Sequence, residues 1–345
     1  MSKTPLTYKD SGVDIDAQDR ALDRVKGFAR RTFTPGVLAD IGSFGGLFDP
    51  SASGHAGQVL VSSADGAGTK LKVAQMAGRY DTVGQDLVNH CVNDILVQGA
   101  VPLFFMDYLA AGVLVPERVA AVVEGLCIAC EENGMALLGG ETAEMPGLYH
   151  GEDFDLAGFI VGAVERDAVL PGGVEEGQVL LGLPSTGLHT NGYSLARRLF
   201  FEEKGFSVDA RLADLDEPLG DALLAIHRSY LKPVSALMAK GLVPRAMAHI
   251  TGGGLPDNLP RVLPEGVHAT VRRDAWVEPA LFRYIRREGR VPDDDMARTF
   301  NLGIGMVLIL PPESLDATVE VLEAMEEHAI VIGELERGRR GCTLV

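Results

Sequence analysis

The sequence predicts a mixed α/β (α+β) chain of two domains. Its 345 residues correspond to about two domains of ~150 residues each, and strand-like and helix-like segments are mixed in both halves. A turn-rich, charged stretch between Arg166 and Gln178 separates the halves. We therefore expect an N-terminal domain at 59–166 and a C-terminal domain at 167–345, preceded by a polar, glycine-rich strap or lid at 1–58.

The first half predicts four strands and three helices. Short apolar runs flanked by turn residues indicate the strands, and longer runs with helical spacing indicate the helices. One helix begins with a proline in its first turn, where the missing N–H is tolerated. In chain order the segments are strand Val59–Asp65, helices Thr69–Gly78 and Gly84–Gln98, strand Pro102–Leu109, helix Pro116–Asn133, and strands Met135–Leu138 and Asp155–Val164.

The second half begins again with a strand, and the same criteria predict two strands and six helices there. The strands are Val179–Leu183 and Leu302–Leu310. The helices are Tyr193–Lys204, Asp221–Ile226, Pro233–Lys240, Pro256–Leu263, Ala280–Glu288 and Leu315–Glu326.

The net charge narrows the class of ligand. Acidic residues outnumber basic ones by 48 to 31, which gives a net charge of −17. Such a field repels nucleic acid and anionic membranes, so neither is an expected partner. An anionic ligand must therefore meet local positive charge, main-chain N–H groups or metal ions.

The four cysteines predict no disulfide framework, and the chain reads as cytoplasmic, with no apolar stretch long enough to span a membrane. Cys127 and Cys130 form a C-x-x-C pair inside an apolar helical run. Without a second pair, they are better interpreted as small residues of a buried helix face than as a redox or zinc site.

The segment Asp65–Lys70 lies where a predicted strand passes into a helix. Gly66 and Gly68 allow a phosphate to approach the backbone, the helix start offers N–H groups, and Lys70 carries a positive charge. The spacing of a Walker loop is absent, and a tight turn with a solvent-facing lysine explains the segment equally well.

The helix that follows carries a polar stripe on an otherwise apolar surface. Because a helix that is apolar over most of its surface is buried, the stripe is expected to face a wet cleft, an ion or a solvated groove. An ordinary solvent face is the alternative, although such a face usually carries Lys or Glu. The polar stripe consists of Asp86, Asn89, His90, Asn93 and Asp94.

Glu141 follows a glycine pair directly after the predicted strand Met135–Leu138. Together with Asp65 and Asp94 it would form a set of oxygen ligands, which Mg²⁺ prefers. An acidic protein that binds a polyphosphate needs such an ion, although a solvated acidic loop explains Glu141 alone equally well.

Two further glycine-containing segments, Ser185–Ser194 and His249–Pro256, each run into a predicted helix. Either could hold a phosphate on main-chain N–H groups at the helix start, and either could be an ordinary turn. His189 could transfer protons, although a single histidine is more often structural.

Taken together, these motifs resemble the phosphoribosylformylglycinamidine cyclo-ligase family, also called aminoimidazole ribonucleotide synthetases. The resemblance extends from about Tyr8 to Gly333, with small departures at Ser63, Ala64 and Ala67 that leave the charged residues in place. The segments that carry it are Tyr8–Ile15, Asp65–Lys70, Cys91–Ile95, Gly139–Pro146, Gly187–Ser194, Thr251–Pro256 and Arg298–Asn301.

The resemblance implies ATP-dependent ring closure of formylglycinamidine ribonucleotide, with Mg²⁺ as cofactor, by a homodimer whose N-terminal sheets pair. Lys70, Asp94 and His189 are the implied catalytic residues, with His189 as the proton-transfer candidate. The implied Mg²⁺ ligands are Asp65, Asp94 and Glu141. The implied ATP contacts are Asp65, Gly66, Gly68, Thr69, Lys70, Asn93, Asp94 and Glu141, and the implied substrate contacts are Gly187, His189, Asn191, Gly252, Gly253 and Gly254.

Other functions remain alternatives at this point. A thiamine-monophosphate kinase or a selenophosphate synthetase would share an acidic, metal-binding first half, but the latter usually carries a reactive N-terminal cysteine, and none precedes Cys91 here. An amidotransferase-type synthetase would depend on glutamine. A non-catalytic scaffold would bind ATP without substrate-dependent release of ADP.

Overall fold

A computed structural model describes Thr7 and residues 37–39, 46–53 and 57–345. Most of the expected strap or lid at 1–58 lies outside the described residues, as does the Tyr8–Ile15 motif. The described part has the predicted mixed α/β (α+β) class, with two separate sheets and helices in both halves. In this part of the chain, no helix combines the length and apolar character needed to cross a membrane.

The first sheet has the strand order β1-β2-β5-β3-β4. Strands β3 and β4 pair in parallel, and the other neighbours pair antiparallel. Side chains alternate between the two faces of each strand, so one face of the sheet packs against helices and the other is left uncovered by them. The strands are β1 (Gly46–Phe48), β2 (Val59–Gly66), β3 (Val101–Ala111), β4 (Ala136–Glu144) and β5 (Phe154–Val164).

Two helices of the first half, α2 (Asp81–Leu96) and α3 (Pro116–Glu132), cover one face of this sheet, and α1 (Lys70–Ala77) packs against α2. Helix α2 is buried from Thr82 to its end, as its apolar surface predicts. Helices α2 and α3 approach closely at two glycines. A Cβ atom on Gly125 would lie 1.9 Å from the carbonyl oxygen of Asp81, and one on Gly84 would lie 2.3 Å from that of Val122.

Strand β4 differs from the prediction in its length. The sequence places its end at Leu138, before the glycine pair, but the strand continues to Glu144. The reason is that residues 139–144 pair in parallel with 106–111 of β3, which supplies main-chain partners to the glycine-rich stretch. Gly139–Glu144 is therefore part of an exposed edge strand and does not form a loop.

The second sheet is larger than predicted, with six strands in the order β11-β8-β10-β6-β9-β7. The sequence pattern predicts only β6 and β9. Three of the four strands that it missed have four or five residues, too short for a clear alternating pattern. The strands are β6 (Val179–Pro184), β7 (Ala246–His249), β8 (Val267–Val271), β9 (Ile304–Leu310), β10 (Ile330–Arg337) and β11 (Gly341–Leu344).

The helices of the second half are mostly short. The predicted helix Tyr193–Lys204 continues beyond α4 as a π-helix over Arg198–Glu203, and the predicted helix at Pro256 begins earlier and finishes as a 3₁₀ turn over Leu259–Val262. The α-helices are α4 (Tyr193–Arg197), α5 (Leu219–Leu224), α6 (Leu231–Ala239), α7 (Gly254–Asn258), α8 (Ala280–Gly289), α9 (Asp293–Thr299) and α10 (Leu315–Glu323).

Candidate active site

The polar stripe of α2 lies against the second half of the chain, so of the three surroundings expected for it a wet cleft is not the one observed. All five of its side chains are buried, and three of them bind the main chain of the segment 227–230 from the second half. Asp86 Oδ1 accepts from the N–H of His227 at 2.7 Å, and Asn89 Nδ2 donates to its carbonyl at 2.8 Å. The stripe therefore attaches the two halves of the chain to each other.

Asn93 takes part in the same attachment. Its Nδ2 donates to the carbonyl of Arg228 at 2.9 Å, and its Oδ1 accepts from the N–H of Tyr230 at 2.9 Å. Because the amide is fully buried and bound on both sides, it has no surface to offer a nucleotide. The expected contact of Asn93 with ATP would require this attachment to open.

Lys70 is also buried completely, so the predicted contact with ATP phosphates does not occur in this arrangement. Its ammonium lies 2.7 Å from Asp86 Oδ2 and donates to the carbonyls of Ala225 and His189 at 2.7 and 3.2 Å. An ammonium has three N–H donors, and these three partners occupy them. The lysine links α1 to the second half of the chain.

The loop that precedes Lys70 remains open to solvent and meets the second half. Gly66, Gly68 and Thr69 are exposed, and Thr69 Oγ1 lies 3.2 Å from Ser194 Oγ. The carboxylate of Asp65 is 37% exposed. This loop therefore offers main-chain and carboxylate groups at the border between the two halves.

The two glycine-containing segments of the second half come together beside this loop. A Cβ atom on Gly252 would lie 3.2 Å from Asn191 Oδ1, so the two segments are in contact. Asn301 anchors the first of them by donating from Nδ2 to the carbonyl of Gly187 at 2.9 Å, and Gly253 N–H donates to the carbonyl of Arg298 at 2.8 Å. Four of the motifs found in the sequence thus form one junction.

Only part of the predicted phosphate cradle is accessible at this junction. Gly252 is exposed, but Gly253 and Gly254 are buried. Their N–H groups already donate to the carbonyls of Arg298 and Thr251. The helix that begins at Gly254 has only five residues. Gly252 is thus the glycine of this segment that a ligand can reach, and the expectation of a three-glycine cradle is corrected.

Beneath the exposed loops lies a group of four buried imidazoles, the histidine cluster of His90, His189, His227 and His249. The rings of His189 and His227 stack with centroids 3.9 Å apart, and the other neighbouring centroids are 5.1–5.2 Å apart. His227 Nε2 and His249 Nε2 are 3.0 Å apart. Helix α2, strand β7 and two loops contribute one histidine each.

Two aspartates border this cluster. His90 Nε2 lies 2.5 Å from Asp65 Oδ2 and 3.8 Å from Asp94 Oδ2, while His249 Nδ1 lies 2.8 Å from Asp94 Oδ1. Burial opposes the charged form of His90, but the carboxylates outweigh it and raise the pKa of His90 to about 9. The pKa values of His189 and His227 are well below the usual range because both rings are buried beside other cationic or titratable groups.

His189 is held in an unusual backbone conformation, with φ of 58°. The N–H of Thr186 donates to its Nε2 at 3.2 Å. Its Nδ1 is buried and has no hydrogen-bond partner among the described residues. The ring is fully buried, so this structure offers no exposed surface of His189 to a substrate, but the unpartnered nitrogen is available for a further hydrogen bond.

Glu141 is not part of this junction, so the predicted set of three carboxylates does not assemble. Glu141 of β4 pairs with Tyr108 of β3, and Tyr108 pairs with Ala157 of β5. Ala157 in turn pairs with Gly66 of β2. Directly paired residues share a face, so Glu141 lies on the face of Gly66, which is opposite to that of Asp65. Three strand spacings also separate Glu141 from β2, about 14 Å at ~4.8 Å each. The expectation that Glu141 shares an ion with Asp65 and Asp94 is wrong for this structure.

Comparisons with known proteins show the family to which the chain belongs. Family models for the N-terminal and C-terminal domains of AIR synthase related proteins match residues 47–164 and 175–343. A phosphoribosylformylglycinamidine cyclo-ligase of Geobacter metallireducens is 50% identical over 342 residues, 99% of this chain and 98% of that protein. The chain belongs to the phosphoribosylformylglycinamidine cyclo-ligase family. It is therefore an enzyme of the ligase class.

Other members and more distant structures are consistent with this family. The cyclo-ligase of Desulfitobacterium hafniense is 50% identical over 336 residues, 97% of this chain and 98% of that protein. A thiamine-monophosphate kinase from Stenotrophomonas maltophilia has a TM-score of 0.63 at 22% identity, covering 94% of this chain and 95% of that one. Hydrogenase maturation protein HypE in complex with ATP has a TM-score of 0.60 at 20% identity, covering 94% and 91%. These two structures share the fold.

In this member of the cyclo-ligase family, Gly187 borders a separate cavity of about 220 Å³. Three acidic residues line that cavity together with apolar side chains of the 279–282 segment: Asp214, Asp216 and Glu217. Such a lining disfavours a phosphate group because like charges repel. Gly187 thus borders this acidic cavity, whereas Asn191 lies beside Gly252, although both were predicted to contact the same substrate.

Sequence reasoning about this cyclo-ligase family member missed His227 as a site residue. It lies in the loop between α5 and α6, outside every motif, and a single loop histidine carries no recognisable pattern. His90 and His249 stood within motifs but were not assigned a role. Their proximity depends on contacts between residues more than 100 positions apart in the chain, which spacing does not reveal.

Proposed function

We propose that this enzyme catalyses the ATP-dependent cyclisation of formylglycinamidine ribonucleotide to 5-aminoimidazole ribonucleotide, with release of ADP and phosphate, in de novo purine biosynthesis. The N-terminal part at 59–166 would bind ATP, and the C-terminal part at 167–345 would bind the ribonucleotide. The nearly full-length identity of about 50% with cyclo-ligases supports this assignment.

The observation that carries the proposal is the junction of three loops from both halves of the chain. The Asp65–Thr69 loop touches Ser194, and the Gly187–Ser194 segment touches Gly252. Their exposed groups lie beside one another at the border of the halves. A nucleotide at the first loop and a ribonucleotide at the other two would therefore be held side by side, as a phosphoryl transfer between them requires.

Asp65 and Asp94 are the proposed ligands of the Mg²⁺ that accompanies ATP. Both approach one nitrogen of His90, at 2.5 and 3.8 Å, so the two carboxylates flank the same ring, and Asp65 is partly exposed. Mg²⁺ is often bound by one or two carboxylates together with substrate phosphates and water. Asp65 and Asp94 are therefore enough to bind the ion without Glu141. Bound there, Mg²⁺ would offset the charge of the ATP phosphates.

The reaction needs an activated amide, because an amide oxygen is a poor leaving group. In the proposed course the formyl amide oxygen accepts the γ-phosphoryl group of ATP, and ADP leaves. The nitrogen on the amidine side then attacks the activated carbon, the ring closes, and phosphate leaves with the former amide oxygen. Positioning supplies much of the rate because the attack is intramolecular.

His189 is the proposed proton-transfer residue through its unpartnered Nδ1. Its depressed pKa keeps the imidazole neutral at neutral pH, which is the form that accepts a proton. Because the ring is buried, this role requires that the loops at the junction separate when substrate binds. Asn191 and Gly252, which are more accessible, are the proposed contacts of the ribonucleotide.

A homodimer formed through the first sheet is also part of the proposal. The face of this sheet that the helices leave uncovered exposes large apolar side chains, including Met106 at 41% and Phe159 at 47%. These two residues are directly paired across β3 and β5 and so lie on one face. Contiguous apolar surface of this kind is typical of protein–protein interfaces, and a second copy presents the same face.

The decisive experiment is to incubate purified protein with ATP, Mg²⁺ and formylglycinamidine ribonucleotide and to assay the aminoimidazole product and ADP together. We expect equal amounts of both, and neither when the ribonucleotide is omitted. Binding of ATP without ribonucleotide-dependent ADP would indicate a scaffold. ADP release with thiamine monophosphate or a selenium donor instead would indicate a related ATP-dependent enzyme.

A further inference from the structure

The histidine cluster brings together more metal-ligating side chains than the proposed reaction uses. Four buried imidazoles and two carboxylates meet within one small volume. One donor atom each from His90, Asp94 and His249 lies within 4.8 Å of the other two, and Asp65 lies 2.5 Å from His90. The proposed function assigns no role to His90 or His249.

The donor atoms have the spacing of a compact metal site. His90 Nε2 lies 2.5 and 3.8 Å from oxygens of Asp65 and Asp94, and His249 Nδ1 lies 2.8 Å from the other oxygen of Asp94. Around a tetrahedral Zn²⁺ with bonds of 2.0–2.2 Å, neighbouring ligand atoms are about 3.4 Å apart. Small movements of His90, Asp94 and His249 would therefore create a position with two nitrogen ligands and one oxygen ligand. Asp65, which lies 2.5 Å from His90 Nε2, would turn toward this position as the fourth ligand.

The other ring nitrogens of the two histidines are already held. His90 Nδ1 lies 2.7 Å from Thr190 Oγ1, and His249 Nε2 lies 3.0 Å from His227 Nε2. Ser63 Oγ donates to Asp94 Oδ2 at 3.1 Å. Metal-binding histidines are usually oriented by such outer contacts. These contacts direct His90 Nε2 and His249 Nδ1 toward the carboxylates.

The group also has an accessible edge. Asp65 is 37% exposed, so an ion has a route to it from solvent.

We propose that Asp65, His90, Asp94 and His249 bind a divalent transition-metal ion of the Zn²⁺ and Co²⁺ class in the absence of nucleotide. Imidazole nitrogen suits these ions, whereas Mg²⁺ prefers oxygen ligands in octahedral geometry. The site shares Asp65 and Asp94 with the proposed Mg²⁺–ATP position, so a transition-metal ion bound there competes with Mg²⁺–ATP. The inference itself does not depend on the proposed reaction, because it concerns the protein without ATP.

The test is a titration of chelator-treated, ATP-free protein with Co²⁺, followed by the visible absorption of the bound ion. We expect one Co²⁺ per chain with the intense absorption of a four-coordinate ion, displaced by Zn²⁺ and not by a large excess of Mg²⁺. An octahedral, weakly absorbing Co²⁺, or displacement by Mg²⁺ at equal concentration, would overturn the proposal.

Variants locate the ion. His90→Asn and Asp65→Asn should each weaken Co²⁺ binding at least 100-fold, while His227→Asn, which removes an outer contact, should weaken it about 10- to 100-fold. His268→Asn is the matched control, because His268 lies in β8 and hydrogen-bonds Arg339 and Thr343 instead. Asp65 is at the exposed edge, so its variant remains informative if His90→Asn does not fold.

A second group, His189, His227 and His249, also has donor atoms within 4.8 Å of one another. If His189→Asn abolishes Co²⁺ binding while His90→Asn and Asp65→Asn retain it, the ion occupies that group and the proposal is wrong. Turnover is measured separately with Mg²⁺–ATP and ribonucleotide. Metal binding without turnover would contradict only the proposed function, and turnover without metal binding only this inference.

Discussion

Lys70 and Asp86 form an ion pair of 2.7 Å in which both side chains are fully excluded from solvent. Burial lowers the pKa of Lys70 and raises that of Asp86, and the opposite charge of each partner offsets this effect. Asp86 also accepts the N–H of His227, and Lys70 donates to two carbonyls of the second half. The pair therefore belongs to the attachment between the halves.

We predict that Lys70→Met lowers the free energy of unfolding by about 3–5 kcal/mol, because it leaves the Asp86 carboxylate buried without its partner. The double variant Lys70→Met with Asp86→Asn should recover most of this loss, since the amide is neutral and still accepts the His227 N–H. Urea unfolding followed by circular dichroism measures both.

The control for this comparison is Arg337→Met, which breaks the exposed pair with Glu176. Exposed pairs contribute little to stability, so its unfolding curve should overlay that of the original protein. A Lys70→Met protein as stable as the Arg337→Met protein would show that the buried pair is dispensable, and would reopen a role for Lys70 at the phosphates.

The Lys70 environment shows where sequence reasoning reached its limit. A lysine after a glycine-containing turn resembles a phosphate-binding group, and local pattern contains nothing that distinguishes it from a buried one. The difference is made by Asp86, sixteen positions onward, and by the carbonyls of His189 and Ala225 more than 100 positions away. The burial of α2, in contrast, was predictable because its apolar surface is a local property.

Glu141 illustrates a second limit. A glycine pair usually signals the end of a strand, and a carboxylate beyond it suggested a site at the strand end. Parallel pairing with β3 keeps this stretch in the sheet and fixes the face on which Glu141 lies. The mixed class, the positions of β2, β3 and β5, and the family were predictable, because they depend on periodicity and on motifs with specific spacing.

His189→Ala should lower kcat for aminoimidazole formation about 10²- to 10⁴-fold, the usual contribution of a general acid or base, with a much smaller change in ATP affinity. The physical reason is that the variant removes a neutral, buried proton acceptor and leaves the exposed Asp65–Thr69 loop unchanged. Steady-state kinetics and ATP titration measure the two effects. His268→Ala serves as the control, and equal rates of both variants would remove His189 from the proton path.

Cys130 should resist alkylation in the folded protein. Burial, with smaller effects from Cys127 and Asp107, raises the pKa of the Cys130 thiol to about 12. A raised thiol pKa means that the reactive thiolate is rare below pH 12, about one part in 10⁴ at pH 8. Iodoacetamide labelling with mass spectrometry should modify Cys127, which is half-buried, first, and labelling in urea should equalise the two. Rapid labelling of Cys130 at pH 8 would contradict this.

Gly125→Ala should destabilise the protein, because its new Cβ would lie 1.9 Å from the carbonyl oxygen of Asp81, a backbone atom that yields only if α2 and α3 move apart. We expect a loss of at least about 1–3 kcal/mol, typical of overpacking. Gly139→Ala is the matched control, since nothing lies within 4 Å of a Cβ atom there. Thermal unfolding of both variants measures the difference, and similar midpoints would show that the helices separate at little cost.

Phe159→Asp should convert a dimer to a monomer. Phe159 and its strand partner Met106 are exposed on the uncovered face of the first sheet. Pairing of two such faces would bury both side chains. An aspartate at position 159 would then lose its hydration in the dimer, which is costly for a carboxylate. Sedimentation velocity at micromolar concentration measures the mass. Val277→Asp is the control, because Val277 is 83% exposed in the second half of the chain and should leave the dimer intact. A dimer that survives Phe159→Asp, or an original protein that sediments as a monomer, would place the association elsewhere or exclude it.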